Sequence, residues 1–233
     1  MESIFILFAY MFGSIPTAYI IAKRFARLNI LHVGSGNSGA SNLMFQTNFF
    51  VGISGGAIDV FIKGFFPILL AKIFFPNQDL VHYIIGIFLL GGHNWSPYIK
   101  FRGGRGIAIF MGILLGLGWL ELVLFLVFLQ GLNCLLSFSI SKNLFEPSIW
   151  IIIWFIYLFF TVALGDYGTY GTLFISISFL LIIIKRLIAN FAQLPTDQSY
   201  YKVLLFRFFL DRDILKKNLW LDRKNFFNDK EVV

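Results

Sequence analysis

The chain has one cysteine, three histidines, six prolines and twelve acidic residues in 233 positions. A single thiol, Cys134, excludes a disulfide within the chain and a zinc site built on thiolates. It lies inside an apolar run, which argues against a thioester nucleophile facing water. The loops hold no acidic cluster suited to Mg²⁺. Charge of either sign is scarce, at 13% of residues, while 58% are hydrophobic and thirty are phenylalanine. Soluble globular chains are about 45–50% apolar; that excess and a mean hydropathy of +0.79 assign this chain to a membrane.

Uncharged runs cover 3–22, 80–99, 122–141, 147–165 and 167–184, each close to the ~20 residues of a spanning helix. Two less clean segments bring the count to seven: 49–75, which carries Asp59, Lys63 and Lys72, and the short, glycine-rich 106–120. The first run opens Met-Glu and its basic cluster KRFAR follows it, so it does not read as a signal peptide. The predicted fold is all-α: a polytopic domain of seven transmembrane helices over 1–190, followed by a basic amphipathic tail over 191–233. The tail stretch SYYKVLLFRFFLDRDILKKNLWLDRKNFF (199–227) is too charged to span and is expected to lie on the inner leaflet with no part in chemistry.

Lysine and arginine mark the cytoplasmic side. With seven spans, the loops at 23–48, 98–105 and 142–146 and the tail share one side and hold nine Lys or Arg before the tail, from Lys23 to Arg186. The loops PNQDL, GLGWLE and GDYGTYG hold none. The expected topology is N-terminus outside and C-terminus in the cytoplasm.

That topology brings two glycine-rich loops to one face: GSGNSGASN (34–42) and FRGGRGIA (101–108). Glycine admits close approach of backbone N–H groups to an anion, and Ser and Asn add short donors. The plain alternative for the first loop is a flexible linker. In the second, guanidinium groups can grip phosphate in a fork ahead of a helix N-terminus, although Arg102 and Arg105 also serve as membrane anchors in the simpler reading. His93 and Asn94 precede it at the end of an apolar run; a structural hydrogen bond is the bland reading of that histidine. Asp59 and Lys63, four apart in an apolar helix, read first as an ion pair pointing into the bundle.

GSIPTAYIIAK (13–23), VGSGNSGASN (33–42) and GHNWSPYIKFRGGRGIA (92–108) together resemble three successive motifs of the bacterial acyl-phosphate:glycerol-3-phosphate acyltransferases, the PlsY family, over about residues 3 to 190. The resemblance implies a seven-span inner-membrane enzyme that transfers a fatty acyl group from acyl phosphate to glycerol 3-phosphate, giving 1-acylglycerol 3-phosphate, with no metal, no other cofactor and no nucleic acid. Membrane lipids and the two phosphate substrates are its partners. It makes His93, Ser35 and Asn37 candidate catalytic residues. Gly34, Gly36, Gly39, Asn42, Lys100, Arg102, Gly103, Gly104, Arg105 and Gly106 become candidate phosphate ligands, with Asp59, Lys63 and Arg186 in support.

The chain departs from the family at four places. The D-x-x-K-G element reads D-V-F-I-K-G, one residue longer, and Phe45 stands where an arginine is usual. Near residue 185, LLIIIKRLIANFAQ keeps Arg186 and Leu187 of the family's H-x-E-N, R-L, G-T-E pattern but lacks its His, Asn and Glu. Either Ser141 or Ser148 takes the place of the family's serine. Two other readings stay open: a non-catalytic relative that binds lipid precursors, and a transporter of a small phosphorylated anion.

Overall fold

In the computed structural model the first apolar run is broken. Pro16 has no N–H to continue the helical ladder, so α1 (Glu2–Gly13) stops and α2 (Thr17–Phe25) starts anew after Ser14, Ile15 and Pro16. The structure describes residues 1–139, 147–191, 198–216 and Trp220. Ser141, Lys142 and the tail beyond 220 lie outside the described residues.

The elements are helical throughout. A 3₁₀ turn (Ile30–His32) and α3 (Ala40–Gln46) flank the first glycine loop. Helix α4 (Phe49–Ala57), a π-helical segment (Ile58–Phe65) and α5 (Phe66–Phe74) form one continuous rod. Then come α6 (Asp79–Asn94), α7 (Ile107–Leu117), α8 (Leu120–Ser139), α9 (Pro147–Leu164), α10 (Gly168–Ile188) and α11 (Tyr200–Leu210). By length and composition, Glu2–Phe25 and Gly168–Ile188 reach span length among the described residues. Ile107–Leu117, Leu120–Asn133 and Ser148–Leu164 are shorter apolar helices. The segment expected as a seventh span, 106–120, forms a helix of only eleven residues, about 17 Å at 1.5 Å per residue against a hydrocarbon core of about 30 Å. Gly118, at φ 90°, ends it in the left-handed conformation that favours glycine.

Lipid-like association sets the packing: apolar surface gains little from leaving hydrocarbon, so close backbone contact and hydrogen bonds hold helices together. Gly64 and Gly112 face each other where the π-helical segment crosses α7; a β-carbon on Gly112 would stand 3.0 Å from the Gly64 Cα. Helix α1 lies along α6, stapled by Tyr10 Oη donating to Trp95 O (2.7 Å) and Ser96 Oγ donating to Ser14 O (2.5 Å). Lys72, a charge in an apolar rod, donates to Leu117 O (2.7 Å) and so satisfies the carbonyl end of α7. The core is aromatic: Tyr83, Trp119, Phe110 and Phe155 surround Phe174 and one another at centroid separations of 5.0–6.1 Å. Large side chains on the outer face, such as Phe50 (81% exposed) and Ile73 (72%), are exposed, as lipid-facing residues must be.

The described part of the tail does not stand apart from the bundle. Helix α11 packs on α9 and α10, with Arg207 Nη1 donating to Leu187 O (2.9 Å) and Arg186 Nη1 to Phe208 O (3.2 Å). Buried guanidinium groups find partners in the last turns of neighbouring helices, which explains why a segment too charged to span still folds onto the helices that do.

Candidate phosphate and acyl-transfer site

The two glycine loops meet at one end of the bundle. Ser38 N donates to Gly103 O (3.3 Å), and a β-carbon on Gly39 would lie 3.8 Å from the Gly104 Cα. The residue that joins them is Asn190, 3% exposed, at φ 55° just beyond α10. Its Oδ1 accepts from Gly103 N (3.1 Å), and its Nδ2 donates to Gly36 O (2.9 Å) and Gly103 O (3.0 Å) and stands 2.8 Å from the Asn37 carboxamide. No motif pointed to it; a polar side chain just past the end of an apolar helix, where Asn is among the few residues that tolerate a left-handed backbone, was the available signal.

Within the first loop Asn42 acts as an internal staple. Its Nδ2 lies within hydrogen-bonding distance of Ile30 O, Val33 O and Asn37 O (3.0–3.1 Å), and its Oδ1 accepts from Ser35 N (3.2 Å). The remaining amides are similarly occupied: Gly36 N donates to Val33 O, Asn37 N to Ser35 Oγ, and Gly104 N to His93 O. Six N–H groups of the two glycine-rich loops, those of Ser35, Gly36, Asn37, Ser38, Gly103 and Gly104, therefore bind the protein itself. Glycine is needed here for closeness: a β-carbon on Gly104 would collide with the His93 ring, and one on Gly103 with the carbonyls of His93 and Asn94. Gly34 (φ 56°) is held against Asn42 and Gln46 in the same way.

Beneath the loops lies a buried polar cluster. Asp59 Oδ1 accepts from Thr17 Oγ1 (2.6 Å) and pairs with Lys63 Nζ (3.1 Å); Lys63 also donates to Ile15 O (2.7 Å) and lies 3.2 Å from His93 Nδ1. Asp59 and Lys63, four residues apart, share one face of the π-helical segment and point to the same neighbours. Asp59 Oδ2 is buried without a partner.

A cavity of about 390 Å³ opens beside this cluster, within the range of small-molecule sites. Ser35, Asn37, Gly39, Asn42, Asp59, His93, Arg105, Gly106 and Arg186 line it. Gly34, Gly36, Gly103 and Gly104 stand behind the lining, Lys63 acts on it through His93, and Lys100 and Arg102 do not reach it. Arg105 Nη1 donates to Lys185 O (2.6 Å), and its Nε lies 3.0 Å from the Asn37 carboxamide. Arg186, expected only as support, is 1% exposed and lines the cavity; Nη1 donates to Ser148 O (3.1 Å), while Nε and Nη2 have no hydrogen-bond partner among the described residues. Lys185 is fully buried, with Nζ donating to Phe101 O (3.4 Å) and 5.3 Å from the centre of the Trp95 ring. Lys185 was no candidate site residue in the sequence, nor were Gln130, Leu210, Asp211, Arg212 and Trp220; the last five face the cavity and Lys185 does not.

Helices that pack through glycine, an apolar exterior and a cavity bordered by guanidinium groups and short polar side chains describe an integral membrane protein with a cationic cavity at one end. The sequence pattern of the family described as glycerol-3-phosphate acyltransferase matches residues 3–196, and the chain belongs to that family. Glycerol-3-phosphate acyltransferase 5 of Dehalococcoides mccartyi is 27% identical over 97% of this chain and 96% of its own length. Glycerol-3-phosphate acyltransferase of Prochlorococcus marinus is 31% identical over 82% and 93%. Among solved structures, PlsY, an integral membrane glycerol 3-phosphate acyltransferase in its glycerol 3-phosphate form, is 26% identical with a TM-score of 0.66, covering 79% of this chain and 88% of that one. Its lysophosphatidic acid form shares the fold, at 24% identity and a TM-score of 0.67 over 79% and 87% of the two chains.

Proposed function

We propose that this protein transfers a fatty acyl group from acyl phosphate to glycerol 3-phosphate, releasing 1-acylglycerol 3-phosphate and inorganic phosphate. The observation that carries the reading is the pair Arg105 and Arg186 on one cavity wall with His93 and Asp59 on the same cavity, in a chain of this family. Both substrates are phosphate monoanions or dianions, and two guanidinium groups, one with its Nε and Nη2 donors unspent, suit them.

An acyl phosphate carries its own leaving group, so a covalent nucleophile is unnecessary. The glycerol hydroxyl oxygen bonds to the carbonyl carbon, the bond from that carbon to the phosphate oxygen breaks, and phosphate departs with the electron pair. The hydroxyl proton leaves with it as hydrogen phosphate. The protein contributes orientation and charge stabilisation. Arg105 and Arg186 hold phosphate oxygens, Ser35 and Asn37 add short polar groups at the loop edge, and His93 supplies a donor toward the developing oxyanion. The acyl chain lies between helices, in reach of the bilayer. The setting is the bacterial plasma membrane, with the glycine loops and the C-terminus in the cytoplasm, the N-terminus outside and seven crossings, a reading supported by the one-sided lysine and arginine.

The test is phosphate release by purified protein in lipid, given acyl phosphate and glycerol 3-phosphate beside an acyl-coenzyme A control. Release that requires both substrates, with none from the thioester, is the expected result. Silence with acyl phosphate, with glycerol 3-phosphate still bound, would assign the chain to the non-catalytic relatives.

A further inference from the structure

The segment after residue 198 lies beyond the family match at 3–196, yet it forms a wall of the cavity. Helix α11 ends at Leu210 and the chain turns at Asp211 in a left-handed conformation (φ 54°). That turn is anchored from three sides. Ser148 Oγ donates to Leu210 O (3.0 Å), Arg186 Nη1 to Phe208 O (3.2 Å), and Arg207 Nη1 to Leu187 O (2.9 Å). The result sets the Asp211 carboxylate 2.9 Å from Arg105 Nε, with the two side chains 21% and 13% exposed.

Arg105 already spends Nη1 on Lys185 O and turns Nε toward the Asn37 carboxamide, so Asp211 stands beside it as an ion-pair neighbour whose Oδ1 has no hydrogen bond among the described residues, in space that an incoming phosphate needs. Beside it the buried Nε and Nη2 of Arg186 remain without a hydrogen-bond partner among the described residues. Unsatisfied guanidinium donors in a buried wall are costly and point to an anion that completes them. The Asp211 carboxylate is thus a resident anion beside both guanidinium groups, while Nε and Nη2 of Arg186 still lack a hydrogen-bond partner among the described residues.

We propose that Asp211 is a positioning residue of the substrate site: it stands beside Arg105 as a displaceable counter-ion, and a substrate phosphate binds by taking its place and reaching Arg186. The proposal rests on the acyl transfer described above for the identity of the substrate, and on the geometry alone for the exchange of anions. Exchange of one anion for another keeps Arg105 paired throughout, so the guanidinium is never left bare and the cost of entry is that of separating a mostly buried but still solvent-accessible ion pair.

The experiment compares wild type with Asp211→Asn in lipid, using inorganic phosphate as the probe in equilibrium titration and glycerol 3-phosphate in steady-state kinetics. The amide keeps the shape and removes the competing charge. Phosphate should bind roughly two- to fivefold more tightly and KM should fall by a similar factor, with kcat little changed, as expected for loss of a partly exposed ion-pair competitor. An unchanged or raised KM with weaker phosphate binding would overturn the proposal, because it would show that Asp211 only fixes Arg105 in place or does not act at all. Should the variant fail to fold, hydrogen exchange of the wild-type protein decides: phosphate should raise exchange at 208–213, and protection or no change there refutes displacement. Because the titration and exchange need no turnover, their failure is distinct from absence of acyl transfer.

Discussion

Lys63 Nζ stands 3.2 Å from His93 Nδ1. The same ammonium reaches Ile15 O at 2.7 Å and Asp59 Oδ1 at 3.1 Å, and an ammonium has three hydrogens and no lone pair. Its three neighbours are therefore acceptors, so the neutral His93 ring carries its proton on Nε2, the nitrogen turned toward Gly104. His93 meets the cavity as a donor, which suits orienting a hydroxyl or stabilising an oxyanion better than removing a proton. His93→Ala is expected to lower kcat on the order of 10²-fold, and His93→Gln, which keeps an N–H, to recover part of that. Equal loss in the two variants would show that an N–H donor is not what His93 contributes.

Gly104→Ala should be among the most damaging small substitutions, because its β-carbon falls on the His93 ring. The expected outcome is turnover reduced at least tenfold with a lowered melting temperature, of the scale that overpacking by about 1–3 kcal/mol produces. Gly131→Ala, with open space around it, is the control. Gly116 cannot serve, although it is remote from the cavity, since its β-carbon would stand 2.7 Å from Ile68 Cβ. Wild-type rates for Gly104→Ala would show that the close approach of this loop to His93 does not require a glycine.

At Asn190 the backbone and the side chain can be separated. Asn190→Gly keeps the left-handed conformation and deletes the carboxamide, leaving Gly36 O and Gly103 N without it while Gly103 O keeps Ser38 N; the expected loss is about 1–3 kcal/mol for each buried group left unsatisfied. Asn190→Asp keeps the size but turns acceptors on acceptors and should be worse. Thermal unfolding in detergent with KM for glycerol 3-phosphate reads both, and a ranking of Asp above Gly would contradict the clamp.

Arg105→Lys tests the guanidinium against simple charge. Lys cannot reach Lys185 O, Asp211 and the Asn37 carboxamide at once, so phosphate binding should weaken by roughly tenfold, the scale of one good charge-assisted contact. Lys100→Ala should matter less, because that side chain does not line the cavity. Titration with inorganic phosphate makes the comparison, and equal effects at the two positions would refute the assignment.

Orientation is open to labelling. Cysteines introduced at the exposed Ser41 and Thr169, in a Cys134→Ser background, should react from opposite sides of a sealed membrane. Reaction from one side would sink the seven-crossing topology.

The membrane class, the two glycine loops and their shared face are legible in the sequence because they depend on composition, on lengths of apolar run and on charge counted loop by loop. Each is a local quantity. His93, Arg105, Asp59 and Lys63 were visible for the same reason: polar groups are rare in this chain, and each stands out against its neighbours. The break at Pro16 was also readable in principle, since a missing N–H is a property of one residue.

Tertiary structure decided the rest. A glycine-rich sequence does not say whether its amides will face a ligand or each other, and in this fold those of Ser35, Gly36, Asn37, Ser38, Gly103 and Gly104 all bind the protein, two of them through Asn42 and Asn190. Asn190 and Gly36 are 154 positions apart, and a hydrogen bond across that separation leaves no trace in local pattern. Arg186 looks like an anchor until α11 and α9 cover it, and Asp211 looks like a solvated charge until the turn after α11 brings it onto Arg105. Composition and periodicity fix which residues prefer lipid. Which donors remain unspent inside the protein is settled only when every helix has taken its place and the buried polar groups have chosen among the partners within reach.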